Sequence, residues 1–234
     1  MNNHHLHDNS LPQPAKRLIL WVSGIASITL ASAVLDWRGS DALALAAWIA
    51  AAALAGTIKV RFPAVESSYS FGYVVVLAAI SMLRFPETIL ICLSTALVQC
   101  YWHVRKRPMP AQVLFNLCNY AISTAAAWSA FHGLGSLAPD LGMPARFTFG
   151  AGVFFIANTG LVSWILGILT GRGFVDVWEN SHLQIFPYYL VGAACAAALA
   201  WRNDTSTPAT LLAVVPLLGL LYWSMRVWVR KAGA

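Results

Sequence analysis

The sequence is a succession of long apolar stretches with almost no charge inside them. They run Leu18–Leu35, Ala42–Val60, Phe71–Leu83, Thr88–His103, Gln112–Phe131, Phe147–Thr170, Leu183–Trp201 and Pro208–Val229. About 20 residues rising 1.5 Å each cover roughly 30 Å of hydrocarbon, so most of these stretches suit a membrane-spanning helix. Phe71–Leu83 is too short alone. It predicts a short helix sheltered by its neighbours, or one that takes in part of Ser67–Ser70. Composition agrees with a bilayer: 59% of the 234 residues are apolar and 10% charged, against about 25% charged in soluble domains. The expectation is an all-α polytopic membrane protein of about eight transmembrane helices, with a polar cytoplasmic tail at 1–17 and one transmembrane domain at 18–231.

The basic residues orient it. With the N-terminus inside, the inner flanks hold Lys16, Arg17, Lys59, Arg61, Arg105, Lys106, Arg107, Arg172, Arg226, Arg230 and Lys231, and the outer ones Arg38, Arg84, Arg146 and Arg202. Eleven against four predicts both termini in the cytoplasm, because cytoplasmic flanks are enriched in Lys and Arg. The net charge of +6 falls in short clusters between apolar runs and forms no nucleic-acid-binding stripe.

The chemistry the chain lacks is informative as well. An ionised group at mid-bilayer costs at least about 2.5–3.5 kcal/mol, so ion-coupled pumps keep such groups only where they are used. The stretches hold none at mid-span, which argues against a proton pump and against a metal-dependent membrane transferase. Cys92, Cys100, Cys118 and Cys195 lie inside apolar runs without C-x-x-C spacing and read as packing residues. His4, His5 and His7 sit in the tail without thiols or clustered acids, so no metal site or other cofactor is expected. No nucleophile–base pair or phosphate-binding glycine loop is present, and no enzyme activity is expected.

Two features suggest a ligand site. Asn116, Asn119, Tyr120 and Ser123 recur at helical spacing and share one face, onto which Asn158, Gln99, Tyr188 and Tyr189 can converge. Polar groups shut away from water need partners, either each other, at about 0.6 kcal/mol per bond between helices, or a bound molecule. The other feature is Val60–Tyr73, whose proline and serines stop the second helix while its aromatic residues draw it back onto the bundle. The candidate ligand-binding residues are Glu66, Ser68, Ser70, Tyr73, Asn116, Asn119, Tyr120, Asn158 and Tyr189, with Tyr73 and Tyr120 flanking a flat ring and Val60–Ser70 closing over it.

The extended segment, the short span, a further span ending in Arg105-Lys106-Arg107-Pro108, and Leu114-Phe115-Asn116 opening the next helix together resemble the membrane sensor region of bacterial signalling proteins. In those proteins similar regions precede cytoplasmic cyclic-di-nucleotide phosphodiesterase, diguanylate cyclase or kinase domains. That group, the vitamin-uptake-like sensor proteins, is similar in turn to the S-components of energy-coupling-factor vitamin transporters. The likeness covers roughly Ala42 to Trp201. It implies a six-helix S-component-like core with one added helix at each end, in the bacterial inner membrane. It also implies that the loop Val60–Ser70 closes the pocket on the outer side, whereas the charge count puts that loop inside; the insertion energetics are preferred here. No output domain follows before Ala234, so the chain is expected to act alone, as a piece of a longer protein, or through a separate partner.

The function expected is that of a non-enzymatic receptor for a small vitamin-like or aromatic molecule; the alternative is the substrate-binding subunit of a vitamin or micronutrient transporter. The partners expected are the ligand, the lipid bilayer, and a separate signalling or energising protein, with no nucleic acid. Gly192, Ala196 and Ala200, four apart on one face, suit close helix packing within the bundle first and a homodimer face second.

Overall fold

The computed structural model describes residues 11–61, 68–102, 104 and 107–201. Helices α1 (Gln13–Leu35) and α2 (Ala42–Thr57) lead into strands β1 (Lys59–Arg61) and β2 (Ser68–Ser70). Then follow α3 (Gly72–Met82), α4 (Phe85–Tyr101), α5 (Pro110–Leu137), α6 (Met143–Thr170) and α7 (Phe174–Ser181), and a single 3-10 turn (Leu183–Ile185) leads to α8 (Phe186–Trp201).

Prolines and polar caps set the boundaries. Pro14, Pro86, Pro110 and Pro144 occupy the first turns of α1, α4, α5 and α6, where a missing N–H costs nothing and the fixed φ favours the helix. Asp41 caps α2, its Oδ1 accepting from the backbone N–H of Leu43 at 2.9 Å and of Ala44 at 3.2 Å. At α4 the Glu87 carboxylate accepts from the Arg84 N–H at 3.0 Å, so this buried acid serves as a helix cap. Gly171, at φ +71°, closes α6 in the left-handed region.

Around α3 the bundle is organised. Every residue from Phe71 to Ile80 is buried, and α2, α4, α5 and α8 pack around the helix. A helix apolar on all sides is stable only where protein or lipid covers the whole circumference, and here protein does. Of the two alternatives for this short stretch, the sheltered helix is the one observed; Ser68–Ser70 pairs instead as a strand. The small-residue stripe of α8 faces inward: Gly192, Ala196 and Ala200 are buried, and a Cβ at Gly192 would overlap the Tyr73 hydroxyl of α3. On the periphery, α1 lies chiefly against α5, burying Leu18, Val22 and Ala26 with Phe115, Cys118 and Ile165. Its other face leaves Leu20, Trp21, Ile25 and Ile28 exposed, the pattern of a surface that meets acyl chains.

Several expectations change. The described residues are helical, as anticipated, apart from an antiparallel two-stranded ribbon in which Lys59 pairs with Ser70, Val60 with Tyr69 and Arg61 with Ser68. By length and composition, α1 and α6 can cross a membrane, and α7 with α8 makes a third crossing if they are taken as one span bent by 60°. At 16, 11 and 17 residues α2, α3 and α4 are shorter apolar helices, and the 28-residue α5 carries a polar face. The eight-span count is therefore not reached among the described residues, and Pro208–Val229 lies outside them. Pro187 sits in the first turn of α8, just after the bend between α7 and α8. Helix α7 has no counterpart among the anticipated stretches.

Gly192→Ala is expected to lower stability by about 1–3 kcal/mol by forcing α8 off Tyr73. Gly152→Ala, where an added Cβ meets nothing within 4 Å, is expected to leave it unchanged or slightly raised. Thermal unfolding of the two variants in detergent checks the pair.

Candidate functional site

One end of the bundle encloses a cavity of about 710 Å³. The C-terminal end of α4, the N-terminal ends of α5 and α8, the second half of α6 and the base of the β-ribbon all contribute to its wall. Such a volume lies within the range of small-molecule pockets, about 300–1,000 Å³.

The wall is built from two hydrogen-bonded sets. In the first, the Gln99 amide of α4 donates to the Tyr120 hydroxyl of α5 at 2.7 Å and to the Ser70 hydroxyl of β2. In the second, the Asn119 amide of α5 donates to the Asn158 side-chain oxygen at 2.7 Å and to its backbone carbonyl at 3.2 Å. Asn158 of α6 donates in turn to the Tyr189 hydroxyl of α8 at 3.2 Å, and Ser123 donates to Asn119 at 3.3 Å. Three helices are thereby pinned together through two amides. With water excluded, a polar group left without a partner costs far more than its bond gains, so such a set holds its geometry.

Aromatic rings close the deep end. The Tyr73 ring lies 4.7 Å from Tyr188 and 4.8 Å from Tyr189, centroid to centroid, and its hydroxyl donates to the Tyr188 carbonyl. Tyr120 meets Phe154 edge-on at 5.8 Å. Toward the opening the wall turns basic and apolar. Lys59 Nζ donates to the carbonyls of Gln99 at 2.9 Å and Trp102 at 2.6 Å, capping the C-terminal end of α4; Arg107 and the apolar Phe115, Ile165 and Leu169 also line the space.

Seven of the nine sequence-predicted residues line this cavity: Ser70, Tyr73, Asn116, Asn119, Tyr120, Asn158 and Tyr189. Glu66 and the side chain of Ser68 lie outside the described residues. The seven differ in what they are free to do. Asn119 and Asn158 are buried, the first spending its amide on Asn158 and the second on Tyr189, whereas Asn116 is half-buried and, among the described residues, bonds only the Cys100 thiol, at 3.5 Å. Tyr73 does not stand as a free wall for a flat ring, because it is packed between Tyr188 and Tyr189 and its hydroxyl is engaged. The β-ribbon brings Lys59 and Ser70 to the cavity; Ser70 belongs to the segment anticipated to fold back on the bundle, and Lys59 immediately precedes it. Sequence reasoning placed Gln99 and Tyr188 near the polar face but left them out of the site, and it missed Lys59, Arg107, Cys100, Thr159 and His182. The basic residues were counted only as orientation signals, although their position beside the extended segment was a usable cue.

The sequence model of the MASE9 family, a family of membrane-associated sensor domains, matches residues 39–193, well over half of the chain. The chain belongs to MASE9. No curated protein and no solved structure matches it. The matched region runs from just before α2 into α8 and so contains the ribbon, the Asn119–Asn158–Tyr189 set and nearly all of the cavity wall; α1 lies outside it. MASE9 membership agrees with the apolar helices: this is a membrane protein with a sensor region.

The two asparagines of α5 should separate on substitution. Asn119→Leu removes both donations to Asn158 and is expected to lower thermal stability by about 1–2 kcal/mol. Asn116→Leu gives up one weak bond to sulfur and is expected to stay within about 0.5 kcal/mol of the parent. Melting curves of the two variants in the same detergent give the comparison.

Proposed function

We propose that this MASE9 chain is a non-enzymatic receptor of the inner membrane, binding a small vitamin-like or aromatic molecule within its helix bundle. The observation that carries the reading is the cavity itself: about 710 Å³, walled by amides and tyrosine rings from five helices, with Lys59 and Ser70 from the ribbon. A packed membrane bundle has no mechanical need for an opening of that size, and the open hydrogen-bonding capacity of Asn116 faces into it. On this reading Asn119, Asn158, Gln99 and Tyr189 keep the shape of the site, and Asn116 recognises the ligand. Transmission needs only a difference in affinity between two helix arrangements. The 60° joint between α7 and α8 is the element best placed to move, since α7 is tied to α6 by the Trp178 Nε1–Thr159 Oγ1 bond at 2.9 Å while α8 supplies Tyr188 and Tyr189.

On this reading helices α2 to α6 and α8, which fall within 42–201, form an S-component-type core of six helices with α1 added before it, both termini cytoplasmic and a separate signalling protein receiving the output. The carrier alternative gains no observation of its own.

The test is a thermal-shift screen of the purified chain in lipid nanodiscs against vitamins and flat-ring amphiphiles. At about 100 times Kd a true ligand adds roughly 2.7 kcal/mol of stability. At least one compound is expected to raise the melting temperature of the parent and leave that of Asn116→Leu unmoved. A ligand that shifts both equally overturns the role of Asn116, and a screen without any shift counts against the receptor reading.

A further inference from the structure

The cavity has a direction. Its deep end is formed by buried Tyr73, Asn119, Asn158 and Tyr189, while Val104, Arg107 and Met109, which line its other end, are exposed. The opening lies where α4 ends and α5 begins. Followed along the helices, the same end of the bundle carries the start of α1 with Lys16 and Arg17, the end of α2 with Lys59, and the end of α6 with Arg172, which pairs with Asp176 of α7 at 2.8 Å. At the opposite end stand Arg38, Arg84 and Arg146, interspersed with Asp36, Asp41, Glu87 and Asp140. The cavity opens at the more basic end, which the positive-inside rule assigns to the cytoplasm.

Charge inside the opening is one-sided as well. Among the described residues lining the cavity there are two cations, Lys59 and Arg107, and no aspartate or glutamate. A cleft lined by one sign of charge with low-dielectric walls concentrates counter-ions and speeds their entry. Further in, Asn116 adds an amide that donates only weakly to sulfur, and beyond it lie the tyrosine rings. Cation, amide and aromatic wall follow one another along a single path.

We propose that the site takes an organic anion, an aromatic or amphipathic acid, entering from the cytoplasmic side with its acidic group held at the rim by Arg107 and Lys59. This rests on the cavity being a ligand site, and it narrows the ligand to acids and the source to the cell interior.

Cys100 is a built-in reporter, since its thiol lines the cavity next to Asn116. The experiment uses the full chain with Cys92, Cys118 and Cys195 replaced by Ala, in right-side-out and in inverted membrane vesicles. Two membrane-impermeant thiol reagents are compared: the anionic sulfonatoethyl and the cationic trimethylammonium-ethyl methanethiosulfonate, each rate divided by that reagent's rate with free cysteine. Asp140→Cys in a cysteine-free background reports the opposite end of the bundle.

Cys100 is expected to react in inverted vesicles only, Asp140→Cys in right-side-out vesicles only, and the anionic reagent to be favoured at Cys100 by about tenfold. Arg107→Gln, a change at an exposed position, is expected to remove most of that preference, and Arg107→Lys to keep it. Reaction of Cys100 from the outside, or from neither side, overturns the cytoplasmic entry. Equal rates, or a faster cationic reagent, overturn the anion. Because no ligand is used, these outcomes are independent of the thermal-shift screen: a screen without a hit alongside a sided, anion-selective cavity would remove the receptor reading and leave the entry path standing.

Discussion

An amide shut inside a bundle of apolar helices has to find its hydrogen bonds within the protein, and that requirement fixes the arrangement here. Asn119 and Asn158 answer it for each other and, through Tyr189, bring α5, α6 and α8 into one register. Gln99 does the same for α4, α5 and the ribbon. Apolar packing alone is poorly specific inside a membrane, because lipid tails are as apolar as leucine. The polar pairs supply the missing specificity, and the cavity is the space they hold open between them.

Much of this was legible in the chain. The apolar stretches announced every described helix but α7, and the spacing of Asn116, Asn119, Tyr120 and Ser123 announced a polar face, because a helix repeats every 3.6 residues whatever surrounds it. Other features depend on partners distant in sequence. That Asn119 is consumed by Asn158 while Asn116 is left with a thiol follows from how α5 and α6 are rotated against each other, which no local pattern encodes. Tyr73 is the same case: as a residue near a serine-rich segment it suggested an open wall, and the packing of α8 onto α3 turned it into part of the core. Lys59 was seen only as a topological charge, since its use as a cap for α4 needs the ribbon to place it beside a helix end 40 residues away.

Helix α7 was missed for a different reason. Its Phe174, Val177 and Trp178 recur on one side of eight residues, with Asp176, Glu179 and Asn180 between and after them. So short an amphipathic element leaves no long apolar run in the sequence. The residue that matters most in it, Trp178, is significant only through its bond to Thr159 on another helix.

The burial of α3 has a bearing on how the protein is made. Eleven residues rise about 16 Å, roughly half of the hydrocarbon thickness, so lipid alone cannot hold this helix across the membrane. Leu83 and Arg84 are all that separate it from α4. So short a link makes α3 one arm of a tight helical hairpin with α4, and the other helices packed around it supply the cover that lipid cannot. The residues that surround α3 in the finished bundle then serve as the receiving surface for a segment the bilayer would not retain by itself.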